Sequence, residues 1–184
     1  MGTSKAQLLF RGRSLAVHAA GILQRAGLTP IVVTAPDQPL DVGKAGRIYD
    51  LRPDRGPLSG LHAALATTQE AAVCVLACDL PLVDPEVFRH LAGFAGTCDV
   101  AVPEDAQGNP QPLCALYARS CLPGVEQLLE TGGGPRHLLH LPGLRVHRIA
   151  AADLGWPDHW FLNLNSPADL VRLQEVQAQL RSRR

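Results

Sequence analysis

The sequence has no excess of either charge: Lys+Arg and Asp+Glu both total 17 over 184 residues. A balanced chain casts no global field towards nucleic acid or an acidic membrane, so neither is expected as a partner. The basic run Arg181-Ser182-Arg183-Arg184 reads as a solvated tail. No apolar run approaches the roughly 20 residues of a membrane span. The amino end does not read as a secretory leader either, because it is polar and its first helical pattern contains His18, Gln24 and Arg25. A disulfide or zinc framework is also missing. Of the five cysteines, only Cys74 and Cys78 lie close together, on one face of an apolar run and without a zinc spacing. They read as reduced core thiols of a cytoplasmic protein. His137 and His140 stand at helical spacing with no third ligand nearby, which argues against a metal there. With no repeats, low-complexity tracts or linkers, residues 1–184 read as a single domain able to bury a full core.

What is present is an alternation of helical and strand patterns. Leu15 to Leu23 places its apolar residues mostly on one helical face, and Gly27 can close that helix. Strands follow at residues 30–35 and near Arg47–Asp50, then a turn-rich stretch and a helix from Leu58 to Thr67. Ala72-Val73-Cys74-Val75-Leu76-Ala77-Cys78 is apolar on both faces, as suits the middle of a parallel sheet covered by helices. It stops at Asp79-Leu80-Pro81. Asp84 and Pro85 then open another helix. Further strands are expected near Asp99–Val102, Pro112–Ala118, Leu144–Ile149 and Phe161–Asn165, the last leading through Ser166-Pro167 into a terminal helix. The pattern predicts a three-layer, Rossmann-like α/β domain with a mostly parallel sheet. Ligands in such sheets bind beyond the carboxyl ends of the strands, near Asp50, Asp79 and Asn165.

Asp79 is the leading candidate for chemistry. A carboxylate at the mouth of the sheet can hold Mg²⁺, which binds through one or two carboxylates plus substrate phosphates; a turn cap is the alternative. Lys5 follows the small, hydroxyl-bearing stretch Gly2-Thr3-Ser4 and can neutralise phosphates as a point charge, or it can be a frayed terminal residue. The glycine spacing of a P-loop is absent. Arg55-Gly56-Pro57-Leu58-Ser59-Gly60 places a tight turn at a helix start, where an anion is favoured. Asn163 and Asn165 alternate with Leu162 and Leu164, an unusual polar pair for a strand. Gly132-Gly133-Gly134 reads equally as a lid or a plain connection, and Arg136 beside it as a phosphate contact or a surface residue.

Taken in order, Met1-Gly2-x-x-Lys5-Ala6, Asp50 with Arg55-Gly56-Pro57-Leu58-Ser59-Gly60, Cys78-Asp79-Leu80-Pro81, Gln111-Pro112-Leu113 and Asn163-Leu164-Asn165-Ser166-Pro167 resemble the MobA-like nucleotidyltransferases over essentially the whole chain. The form of the glycine-proline loop is most similar to that of the molybdenum cofactor guanylyltransferases. The resemblance implies Mg²⁺-dependent transfer of GMP from GTP to molybdopterin, with release of pyrophosphate. It implies that Lys5, Asp50 and Asp79 bind GTP, that Lys5 and Asp79 serve catalysis, and that Asp79 also holds the metal. Asn163 and Asn165 would lie near the reacting phosphates. Transient contact with molybdoenzymes or other proteins of the cofactor pathway would follow. The alternatives are a cytidylyl- or sugar-nucleotide transferase of the same fold and a non-catalytic binding module. The family begins with a strand and a Leu-Ala-Gly-Gly-type loop, whereas this sequence opens at the Met-Gly of that loop. The resemblance therefore implies either a start upstream of Met1 or a degenerate relative of the family. Without that central strand, two strand edges are expected to be unpaired.

Overall fold

The computed structural model describes residues 5–37, 40–52, 55–165 and 169. Ser166-Pro167 and the expected terminal helix lie outside them. A two-residue hairpin joins β1 (Leu9–Phe10) to β2 (Arg13–Ser14). Its central residues Arg11 and Gly12 both take positive φ, 52° and 74°, as this tight turn requires. Ser14 then caps α1 (Leu15–Arg25), accepting from the Val17 N–H, and Gly27 at φ 87° ends that helix as expected.

Next come β3 (Ile31–Thr34) and β4 (Gly46–Tyr49), a parallel pair, followed by α2 (Pro57–Thr67) and β5 (Ala72–Leu76). Asp84 caps α3 (Pro85–Ala92) through the Glu86 N–H, the role its position predicts. The remaining elements are β6 (Val100–Glu104), β7 (Cys114–Ala118), α4 (Leu122–Thr131), α5 (Pro135–Leu138) and β8 (Val146–Ala150). The main sheet has the order β5-β7-β6-β8. β7 is antiparallel to both its neighbours and β8 is parallel to β6, so three of the four strands run one way.

Strict alternation divides the core into two halves. Ala101, Cys114 and Leu116 face α1 and α3, packing with Ile22, Phe88 and Leu91. Val100, Val102, Ala115 and Tyr117 face α2, α4 and α5. The result is helix, sheet, helix: a three-layer α/β domain. Gly132, at φ 81°, closes α4, and a Cβ on Gly133 would sit 2.6 Å from Leu128 Cδ2. The triple glycine is therefore a packed connection between two helices.

Two expectations are corrected. Phe161–Asn165 is not a strand: a short 3₁₀ turn, Asp158–Phe161, runs into irregular chain. Burial does not alternate there either: Phe161 and Leu164, three residues apart, are buried, while Asn163 and Asn165 are exposed. No strand ladder flanks the segment among the described residues, and the Leu164 N–H bonds a single carbonyl, that of Asp79. The second correction concerns β5. The most apolar strand of the chain is only half-buried along its whole length. It pairs with β7 on one edge, and beyond its other edge lies a cavity of about 340 Å³ that separates it from β3. Ala16, Ala19 and Ala20 of α1 line this cavity, as do Gly60, Leu61 and Ala64 of α2.

Candidate active site

β5 delivers Asp79 to its carboxyl end. The ladder to β7 continues past the strand, because the Ala77 N–H donates to the Leu113 carbonyl at 2.7 Å. This gives Gln111-Pro112-Leu113 a structural part in holding the approach to Asp79. Leu80 then buries itself and Pro81 turns the chain. Nε2 of His18, on α1, lies 2.8 Å from the Pro81 carbonyl and fixes this turn from the neighbouring helix. Burial keeps the His18 pKa below its ordinary value, which favours a neutral ring that donates here.

Asp79 carries an unusual burden. Its Oδ1 is buried and has no hydrogen-bond partner among the described residues. Burial raises its pKa, and the nearby Lys5 charge opposes that rise without cancelling it. A buried carboxylate oxygen lacking a donor is costly unless a cation or a donor meets it. Its backbone carbonyl accepts from the Leu164 N–H at 2.7 Å, which brings the exposed Asn165 alongside. Lys5, in a single 3₁₀ turn Lys5–Gln7, donates from Nζ to Asn165 Oδ1 at 2.7 Å. Residues 160 positions apart thus meet over one strand end. The neighbouring Cys78 thiol is pushed up to about 11 by burial and then by the Asp79 charge, so it stays protonated and unreactive at neutral pH.

Asp50 follows β4, and its N–H bonds the Thr34 carbonyl at 2.8 Å. Its Oδ1 accepts from the Arg52 N–H at 2.9 Å and from the Ser59 hydroxyl. Ser59 Oγ also lies 2.5 Å from the Arg52 carbonyl and is fully buried. Asp50 is therefore latched to the first turn of α2, with its second oxygen left outside the latch. Pro57 and Gly60 at that turn line the same cavity as Asp79 and Ala6. The structure thus gathers Lys5, Asn165 and Asp79 at one strand end, and sets Pro57 and Gly60 of the glycine-proline loop, to which Asp50 is latched through Ser59, on the wall of the cavity. Asn163 is exposed, and Arg136 is the second residue of the four-residue α5. Sequence reasoning missed Ser59 and His18. Ser59 stood inside a motif valued for its glycines, and His18 looked like a polar interruption of a helix.

The fit to Mg²⁺ rests on Asp79 alone. Among the described residues no group of three or more His, Cys, Asp or Glu side chains gathers into a metal cage. Mg²⁺ does not need one, since it is commonly held by one or two carboxylates together with waters and substrate phosphates. The orphaned Asp79 oxygen is suited to that duty, and the Lys5 charge lies near it.

Residues 1–148 match the model of the MobA-like NTP transferase domain. A probable molybdenum cofactor guanylyltransferase from Pelotomaculum thermopropionicum is 30% identical over 191 residues, covering 100% of this chain and 90% of that protein. Molybdopterin-guanine dinucleotide biosynthesis protein A from Archaeoglobus fulgidus superposes with a TM-score of 0.77 at 27% identity, covering 97% of this chain and 92% of that one. A 2-C-methyl-D-erythritol 4-phosphate cytidylyltransferase from Thermus thermophilus, at 14% identity and a TM-score of 0.72 over 95% and 94% of the two chains, shares the fold. With its three-layer architecture and these matches over most of its length, the chain belongs to the MobA-like NTP transferase family and is a nucleotidyltransferase.

Proposed function

We propose that the enzyme transfers GMP from GTP to molybdopterin, forming the guanine dinucleotide cofactor and releasing pyrophosphate. The observation that carries this reading is the Lys5–Asn165–Asp79 corner, where an ammonium and an unpartnered carboxylate oxygen meet at a strand end. Its relatives named as guanylyltransferases support the choice of nucleotide and acceptor.

Both reactants are polyanions, so positioning and charge neutralisation supply most of the rate. The terminal phosphate of molybdopterin attacks the α-phosphorus of GTP. A new P–O bond forms, and the bond to the bridging oxygen between the α- and β-phosphorus breaks in line. The electron pair leaves with pyrophosphate. No general base is needed, because the attacking phosphate is already ionised near neutral pH. Lys5 neutralises the pyrophosphate side, and Asn165 holds the Lys5 ammonium in place by accepting from it. Asp50, held through Oδ1 by Ser59 and the Arg52 N–H, turns its second oxygen to the nucleoside. A Mg²⁺ held by Asp79 would supply Lewis-acid neutralisation of phosphate oxygens. The product cofactor then passes to a molybdoenzyme or another protein of the pathway. The cytoplasm suits this chemistry, since all five cysteines are free thiols.

The test is a transfer assay with GTP labelled at the α-phosphate, molybdopterin and Mg²⁺. Labelled GMP should appear on molybdopterin, with GTP used in preference to CTP and ATP. Asp79→Ala should lower turnover by roughly 100-fold or more, as loss of a group acting on transition-state charge does. Preference for CTP would move the assignment to cytidylyl transfer, and unchanged turnover by Asp79→Ala would remove Asp79 from the reaction.

A further inference from the structure

The loop after β6 is ordered by carboxylates rather than by burial. β5 and β6 run the same way on either side of β7, so Asp79 and Asp105 leave the sheet at one edge, two strand spacings or roughly 10 Å apart. Residues 106–109 are all exposed, so no buried side chain offsets the conformational entropy of ordering them. Their main-chain N–H groups are nevertheless all bonded. Oδ1 of Asp105 accepts from Gln107 and Asn109 at 3.0 and 2.8 Å, and its carbonyl accepts from Gly108 at 2.9 Å. Oδ1 of Asp158 accepts from Ala106 at 2.9 Å. The chain returning from this loop crosses between the two strands, since the Gln111 N–H bonds the Pro103 carbonyl and the Leu113 carbonyl accepts from Ala77. Asp158 also begins the stretch whose Leu164 N–H bonds Asp79 and whose Asn165 accepts from Lys5.

The same two carboxylates fix which way three side-chain amides face. An ionised carboxylate only accepts, so each amide must turn its NH₂ group towards it. Gln107 Nε2 lies 3.4 Å from Asp158 Oδ2, and Asn109 Nδ2 lies 3.1 Å from both oxygens of Asp105. Gln111 Nε2 lies 3.2 Å from Asp105 Oδ2. The amide oxygens of all three accept no hydrogen bond among the described residues, and Gln107 and Asn109 are exposed. With its main-chain N–H groups taken, the loop shows a ligand mainly acceptors. Such a surface suits a molecule rich in N–H groups and disfavours phosphate, whose oxygens are themselves acceptors.

We infer that loop 106–111 is the rest for the heterocycle of the acceptor substrate, with Asp105 and Asp158 as positioning residues that orient its amides. The inference rests on the proposed reaction. In that reaction Asp50 and the first turn of α2 hold the nucleoside on one flank of Asp79, which leaves the β6 flank to the acceptor. Molybdopterin carries a phosphate at one end and a pterin at the other, with donors on the pterin amino group and ring N–H. Its phosphate meets Lys5 and Asp79 while its pterin reaches the amide oxygens of Gln107 and Asn109. One stretch of chain, from Asp158 to Asn165, is bonded at both places and so sets the spacing between them.

The test uses pterin itself as the probe, with unsubstituted pteridine, which lacks the amino and ring N–H donors, as its control. On isotope-labelled protein, pterin should shift the side-chain amide signals of Gln107 and Asn109, and pteridine should not. Asp158→Asn can turn a donor towards Gln107 and release its amide, and Gln107→Leu removes that amide. Each should weaken pterin binding roughly 3- to 10-fold, the value of one neutral hydrogen bond. Both residues are exposed, so neither change threatens the fold. In transfer assays both variants should raise the KM for molybdopterin by a similar factor while the KM for GTP holds. Three results would overturn the proposal: pterin shifts that spare residues 106–111, equal shifts by pteridine, and a KM for GTP that rises with the KM for molybdopterin. Pterin binding is read without turnover, so the two readings fail separately. A protein that binds pterin at this loop but passes GMP to another acceptor would count for the loop and against molybdopterin as substrate. Transfer to molybdopterin with no pterin at the loop would remove the loop alone.

Discussion

Ser59 has one hydroxyl and no exposure, yet it joins Asp50 to the first turn of α2. Ser59→Ala should free the Asp50 carboxylate to rotate. A lost hydrogen bond to a charged group is worth about 1.5–3 kcal/mol, so the KM for GTP should rise roughly 10-fold or more with kcat little changed. Steady-state kinetics check this, with Asp50→Asn as the reference. If Asp50→Asn raises KM and Ser59→Ala does not, the latch is idle. If neither does, Asp50 does not meet the nucleotide. Asp79 carries the opposite kind of prediction. Burial lifts its pKa, so the folded protein holds this proton more tightly than the unfolded chain does. That contribution is complete below the unfolded value and is lost as pH rises through the folded one. Asp79→Asn should therefore melt higher than the parent at pH 7 while losing transfer activity. The difference should shrink on acidification, which melting curves across pH 4–7 would show. A lower melting temperature at pH 7 would mean that the charge has a partner that stabilises it.

At the scale of elements, periodicity located strands and helices well where a face had to be buried. It found α1, α2, the Asp84 cap and the β5 run ending at Asp79. Strand direction left no such trace: β7 looks like its neighbours in sequence and runs against them, because alternation sets which face is buried and not which way the chain travels. Phe161–Asn165 misled for a related reason. Leu162 and Leu164 alternating with Asn163 and Asn165 imitate a strand, although the backbone of Leu164 is tied by one bond to Asp79. Lys5, Asp79 and Asn165 were all legible as separate signals, but their meeting depends on a chain return that spacing does not encode. Asp99, which no motif marked, turns out to join three elements. Its carboxylate accepts from the Ser120 hydroxyl at 2.6 Å and from the Arg145 N–H at 2.8 Å, with Arg145 Nε at 3.2 Å. The Ser120 bond foremost, then the Arg145 bonds, hold its pKa down at about 2. The stability this adds is present above the ordinary value of 3.8 and is lost as pH falls through about 2. Asp99→Asn should destabilise the protein by about 1–3 kcal/mol at pH 7. Urea unfolding at pH 7 and again near pH 2 should show that deficit disappearing.

For the whole molecule, the notable feature is that its reactive corner is closed by the two distant parts of the chain. Lys5 and Asn165 are 160 residues apart in sequence and hydrogen-bonded at 2.7 Å, and the Leu164–Asp79 bond holds the later partner in place. Synthesis runs at about 5–20 residues per second, so roughly 8–32 seconds separate their appearance at the ribosome. During that interval α1, α2 and the strands up to β7 can pack, since their contacts need nothing from residue 165. A nascent chain can thus be largely folded before Lys5 has its Asn165 partner. The Lys5–Asn165 contact therefore forms only after the strands up to β7 have been made, which puts the joining of this corner among the later steps in assembling the described chain.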